Sequence, residues 1–194
     1  MRCRTIAATL ALSVTAVLAA CGGAPQSEPP AAETAPAAAS VNADAVVADL
    51  LTEWEEQKET LMAIADAMPE EMFSYRSTPA QRTYGEQIMH IATVNVKLLG
   101  LIGGQAQAPT FSADSTTTKA QILQALGESY DYGIALLNEQ TGASITQVQE
   151  AGFMGQATRA RIFWRLLAHS MDIYGQMAVY LRLNDIVPPA SRGV

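Results

Sequence analysis

Four stretches of this chain place apolar residues three or four positions apart, and no long stretch alternates in the two-residue rhythm of a strand. That interval is one turn of an α-helix, so each stretch buries a stripe and offers its other face to water. In the first, Asp44 to Met68, the stripe is Val47, Leu51, Trp54, Leu61, Ile64, Ala65 and Met68, with Glu55, Glu56, Lys58 and Glu59 opposite. Pro69 stops it, because proline has no amide hydrogen to donate and its ring clashes with the preceding turn. A second helix starts at Thr83, which with Glu86 makes a capping box, and runs through Gln87, Ile91, Val94, Leu98 and Leu101 to Gly103-Gly104.

The third opens in the N-cap-rich run "DSTTTKAQ" and carries Ile122, Leu126, Tyr130, Ile134 and Leu137, with Gly127 and Gly133 weakening it slightly. The fourth opens near Thr158 and ends near Leu183, where Asn184 can cap and Pro188-Pro189 forbid continuation. Its stripe is Ile162, Leu166, His169, Ile173, Met177 and Tyr180. Gly175, in mid-helix, reads as a point where a neighbouring helix packs closely. Trp54 and Trp164 read as core or interface anchors. The expectation is an all-α four-helix bundle with essentially no sheet. Connections of roughly 14 to 18 residues could span a helix length, so spacing alone leaves the topology open.

The N-terminus sets the expected compartment. Arg2 and Arg4 precede a short apolar run, Ile6 to Ala20, in the order of a secretory signal peptide. The run ends in Leu18-Ala19-Ala20-Cys21, which resembles a bacterial lipobox and makes Cys21 the expected lipidation site. Attached acyl chains contribute about 0.8 kcal/mol per buried CH₂, so such a protein is anchored to a membrane without spanning it. Residues 22 to 42 are rich in alanine and proline and read as a flexible tether. The expected division is therefore signal peptide 1–20, lipidated tether 21–42 and globular domain 43–194. Gly22 is not the aspartate that retains lipoproteins at the inner membrane of enteric-type bacteria. In a Gram-negative host the expected location is the periplasmic side of the outer membrane.

Cysteine and charge narrow the function classes. Cys3 leaves with the signal peptide and Cys21 takes the lipid, so none remains for a disulfide, a thiolate metal site or a thiol nucleophile. Loss of Arg2 and Arg4 from 12 basic residues leaves 10 against 19 acidic, a net charge near −9. An acidic chain gains nothing from counterion release, so nucleic acid is not an expected partner. Arg159, Arg161 and Arg165 read as the solvated face of a helix start.

The two histidines are the candidates for chemistry. His90 borders the inward stripe of the second helix, and His169 lies on that of the fourth. Imidazoles facing a bundle core from different helices are how bundles build metal sites. The alternative is a pair of core imidazoles that need partners for both ring nitrogens, which Tyr84, Tyr130 or Tyr174 could supply.

The segments "RTYGEQIMHIATVN" (Arg82 to Asn95) and "HSMDIYGQMAVYLRLNDIVPPAS" (His169 to Ser191) resemble the DinB-like family of metal-binding bundles, which includes thiol-transfer enzymes of the YfiT type. "MPEEMFSYR" and "TKAQILQALGESYDYG" fit the same layout, so the resemblance covers nearly all of Asp44 to Ser191. It implies an up-down-down-up bundle, often a homodimer. In active members one histidine of the second helix and an HxxxH pair of the last hold zinc or nickel. His90 and His169 match the first two ligands, but Ile173 stands where the third belongs. Asp172 could complete a two-histidine, one-carboxylate set acceptable to zinc or iron(II), provided that it tilts inward. Two functions are then expected. One is a lipid-anchored binding or interaction module with a degenerate metal site, its ligand a small molecule or a protein. The other is a divalent-metal enzyme of the thiol-transferase kind using His90 and His169.

Overall fold

The computed structural model describes residues 42–112 and 117–193. The signal peptide, Cys21 and nearly all of the tether lie outside the described residues. The elements are α1 (Ala43–Ala67), α2 (Tyr84–Leu99), α3 (Lys119–Asn138), a single-turn α4 (Gly142–Ile145), strands β1 (Val148–Glu150) and β2 (Gln156–Thr158), and α5 (Arg159–Arg182). Ser40–Val194 forms one compact unit with its core built from its own residues, so it can fold without what precedes it. Among the described residues no helix is long and apolar enough to cross a membrane.

Side-chain caps set the helix starts. The Thr83 hydroxyl accepts from the Glu86 amide while the Glu86 carboxylate accepts from the Thr83 amide; Thr118 and Gln121 do the same for α3, and Thr158 caps α5. Each reciprocal pair satisfies amides that the first turn leaves without partners.

Pairings between helices give their directions. Lys58 meets Asp131 and Lys119 meets Asp66, so α1 and α3 are antiparallel. Gln87 meets Gln176 and His90 meets His169, so α2 and α5 are antiparallel too. Trp54 lies on Phe163 and Gln57 donates to the Leu167 carbonyl, so α1 and α5 run together. Gly85 lies against Ile122 and Asn95 donates to Ser129, so α2 and α3 do as well. The bundle is up-down-down-up, as the resemblance implies.

At the centre the Trp54 side chain is fully buried, its indole N–H donating to the Tyr130 carbonyl at 3.0 Å. Its ring meets Phe163 edge-on at 5.5 Å between centroids and Tyr130 at 5.1 Å. Gly133 of α3 faces that indole so closely that an added Cβ would sit 2.5 Å from three ring atoms. Beside it, Gln57 donates to the Leu167 carbonyl and accepts from the Tyr130 hydroxyl, both at 3.0 Å, tying α1 to α3 and α5.

Three expectations need correction. The chain does contain a sheet: β1 and β2 pair antiparallel, Val148 opposite Thr158 and Glu150 opposite Gln156. Three-residue strands are too short to alternate legibly, and the turn is set by Gly152 and Gly155, both at positive φ. Second, α2 ends at Leu99, leaving Leu101 exposed, and Trp164 is half-exposed at the surface, which removes the core alternative for it. Third, Gly175 packs against nothing, for an added Cβ there would meet no atom within 4 Å. Gly175→Ala is therefore expected to stabilise the fold by about 1 kcal/mol, the helix-propensity difference. A thermal midpoint that does not rise would show that position 175 is constrained by something besides its own helix.

Candidate functional site

The antiparallel crossing of α2 and α5 brings His90 and His169 together, ring centroids 5.1 Å apart and planes at 81°. One turn before His90, Gln87 donates to the Gln176 side-chain oxygen at 2.8 Å, and Gln176 in turn donates to the Asp172 carboxylate at 3.3 Å. Gln176 thus serves the helix pairing. The Tyr180 hydroxyl donates to the Arg82 carbonyl at 2.8 Å and fixes the other end of the same crossing.

Both imidazoles are half-buried, so His169 sits at the margin of the core although its stripe mates Leu166 and Ile173 are buried. Two of the tyrosines are engaged elsewhere: Tyr84 donates to the Ile64 carbonyl and Tyr130 to Gln57. Nε2 of His169 is buried without a hydrogen-bond partner. Burial holds the His90 pKa below the ordinary histidine range, helped by the positive charge of Arg82 and by His169. Burial also lowers that of His169, with Arg165 adding to the effect, Asp172 opposing it and Arg82 reinforcing it. Both rings are accordingly neutral at neutral pH.

Of the three candidate ligands, the structure brings two together. Asp172 is exposed and engaged by Gln176, while Ile173 is 2 % exposed and fills the inward position with hydrocarbon. Among the described residues no three histidine, cysteine, aspartate or glutamate side chains gather closely enough to hold a metal ion. The donor set stops at two imidazoles, short of the three protein ligands of a catalytic zinc site. The nearest formal charges include Arg82 and Arg165, whose field opposes a divalent cation. The residues present do not fit the metal that the resemblance implies, and no chemistry is routed through one.

What does surround the pair is space. A cavity of about 220 Å³ is lined by His90, His169, Val94, Leu98, Phe153 and the cations Lys97 and Arg165. On the other side of His90 a shallower hollow of about 480 Å³ is bordered by Arg76, Arg82, Glu86 and Met89. Phe153, at the tip of the β1–β2 hairpin, is 74 % exposed, and the Arg165 guanidinium lies 5.8 Å from its ring centre. Arg159 anchors that hairpin, donating to Gln149 at 3.1 Å and to Gln140 at 3.2 Å. Arg159 is half-buried and so not simply part of a solvated face, whereas Arg161 and Arg165 are exposed, as the sequence suggests. Lys97 and Arg165 were legible in principle, seven residues after His90 and four before His169, spacings that share a helix face. Phe153 was not, because the hairpin that carries it leaves no periodic trace.

Two solved structures of similar architecture are DinB-like proteins. One, from Bacillus cereus ATCC 10987, matches with a TM-score of 0.61 at 23% identity, covering 72% of this chain and 93% of its own. The other, from Bacillus subtilis, has a TM-score of 0.59 at 14% identity, with 75% and 99% covered. At such identities they support the fold and nothing finer. No curated protein matches the chain. The model of the DinB family matches residues 40–191, which takes in all four long helices, the hairpin and both histidines. The chain belongs to the DinB family.

Proposed function

We propose that this protein is a lipid-anchored binding module of the cell envelope, in which a DinB bundle has exchanged its metal centre for a ligand pocket. The observation that carries this reading is the imidazole pair itself, which lacks a third donor, with a buried isoleucine, Ile173, one turn after His169. The signal-peptide pattern and Cys21 support attachment to the envelope, the acyl chains holding the bundle at the surface through the tether.

Metal content tests the first half. Residues 41–194, purified without a histidine tag, are expected to carry far less than one zinc, nickel, iron or manganese per chain. Stoichiometric metal that disappears in His169→Ala would overturn the reading and favour the thiol-transferase-type enzyme. Cys21→Ala tests the second half: the variant is expected to leave the membrane fraction and be recovered soluble. Retention on membranes would mean that attachment does not depend on Cys21.

A further inference from the structure

The smaller cavity beside the histidines combines two properties that a solvent-filled crevice has no reason to share. Its walls are hydrocarbon from Val94, Leu98 and Phe153, and its rim carries two cations, Lys97 and Arg165. The chain is acidic, with 12 basic residues against 19 acidic. Elsewhere among the described residues Lys58, Lys119 and Arg76 each have a carboxylate within 4 Å. Lys97 and Arg165 have none among the described residues, in common with five arginines, and what sets these two apart is that they line one apolar cavity together. Two unneutralised cations at the mouth of an apolar hollow form a complementary surface for an anion with an apolar body.

The hairpin tip points the same way. Gly152 and Gly155, at φ 61° and 63°, fold the turn so that Phe153 projects beside Arg165 while remaining largely in water. A large exposed ring at the edge of a cavity is covered by whatever fills it, and burying its surface favours an apolar occupant. The neutral imidazoles behind add no charge of either sign but can donate or accept a hydrogen bond. A volume of about 220 Å³ falls below the roughly 300–1,000 Å³ of sites for drug-sized ligands, which limits the occupant to a small molecule.

We propose that this cavity binds a small organic carboxylate, its anionic end at Lys97 and Arg165 and its apolar body against Val94, Leu98 and Phe153. The inference rests on the reading of the histidine pair as a pocket wall, not a metal centre. The body could be aliphatic or aromatic, and hexanoate and benzoate stand for the two sources.

The chain has only two histidines, so the imidazole C–H lines in a proton NMR spectrum report directly on the pocket wall. With residues 41–194 at fixed pH, hexanoate or benzoate is expected to move both lines saturably. Hexanamide, which has the same length and no charge, is expected to bind at least about tenfold more weakly, the scale of one charge-assisted contact. Lys97→Gln and Arg165→Gln are each expected to weaken the carboxylate by a similar factor. Both side chains are exposed, and unchanged thermal midpoints would exclude misfolding as the cause.

Equal binding of hexanamide, wild-type affinity in both variants, or no saturable shift with either acid would overturn the inference. So would inorganic phosphate moving the lines as strongly as the acids, because charge alone would then suffice. Zinc added in the same assay separates the two readings. Silence toward both zinc and the acids sinks the carboxylate and leaves the metal-free pocket standing. Tight zinc binding at one per chain, without an effect of the acids, sinks both.

Discussion

Trp54→Ala is expected to cost the fold about 3–5 kcal/mol, the upper range for a buried aromatic truncated to alanine. Domains of this kind have about 5–15 kcal/mol in total, so the variant sits near the edge of stability. The indole fills the space between α1, α3 and α5, with Phe163 edge-on to it and Tyr130 tilted against it. Gly133 contributes no side chain that could move into the vacancy, so the cavity stays open and its lining loses dispersion contacts. The Tyr130 carbonyl also loses the indole N–H as a donor. Urea unfolding measures the loss, with Trp164→Ala as the control. Trp164 is 53 % exposed, and its truncation is expected to change stability by less than about 0.5 kcal/mol. Equal losses in the two variants would mean that Trp54 is not the centre of the packing.

Ile173→His is expected to raise zinc affinity by about 100-fold. Structural zinc sites bind with roughly 10–16 kcal/mol over four ligands, so one added ligand contributes about 3 kcal/mol, or two decades. Position 173 follows His169 by four residues and shares its helix face, and the isoleucine there is 2 % exposed, directed into the bundle. The new imidazole would meet a pair already 5.1 Å apart and complete three ligands. Competition with a chelator of known affinity measures the gain. An unchanged affinity would show that position 173 does not face the pair, and that its apolar side chain is not what closed the site.

The helices were legible because their signals are local and redundant. Thr83 with Glu86 and Thr118 with Gln121 announce helix starts within four residues, and each stripe repeats over several turns. The β1–β2 hairpin was not, because three residues per strand give periodicity nothing to act on, and its stability comes from Arg159 reaching back to Gln140 and Gln149. The glycines show the limit most sharply. Gly133 and Gly175 both sit mid-helix, yet the first is a necessary clearance for Trp54 and the second faces open space. Only the partner across the gap distinguishes them, and that partner lies far away in the chain.

The candidate site was legible in the same partial way. His90 and His169 could be paired from their stripes, but their depth could not, since the stripe of α5 is wide enough to hold both buried Ile173 and half-buried His169. Asp172 is adjacent to Ile173 in sequence and points elsewhere in space, toward Gln176. A position on a helix fixes direction within about 100°, which is too coarse to decide whether a carboxylate enters a site.

The parallel pairings of α1 with α5 and of α2 with α3 have a consequence for how the chain reaches this state. The consecutive helices α2 and α3 pack side by side but parallel, so the chain between them must run back along a helix length before they meet. The N-terminal helix seats its tryptophan only when residues from Tyr130 to Phe163 have arrived. Its glutamine has to wait for the Leu167 carbonyl. High sequence separation between partners slows folding, because loop entropy is lost before contacts repay it. A nascent chain can pair α2 with α3, and α1 with α3, before α5 exists, but α1 completes its packing around Trp54 and Gln57 only when the last helix is delivered.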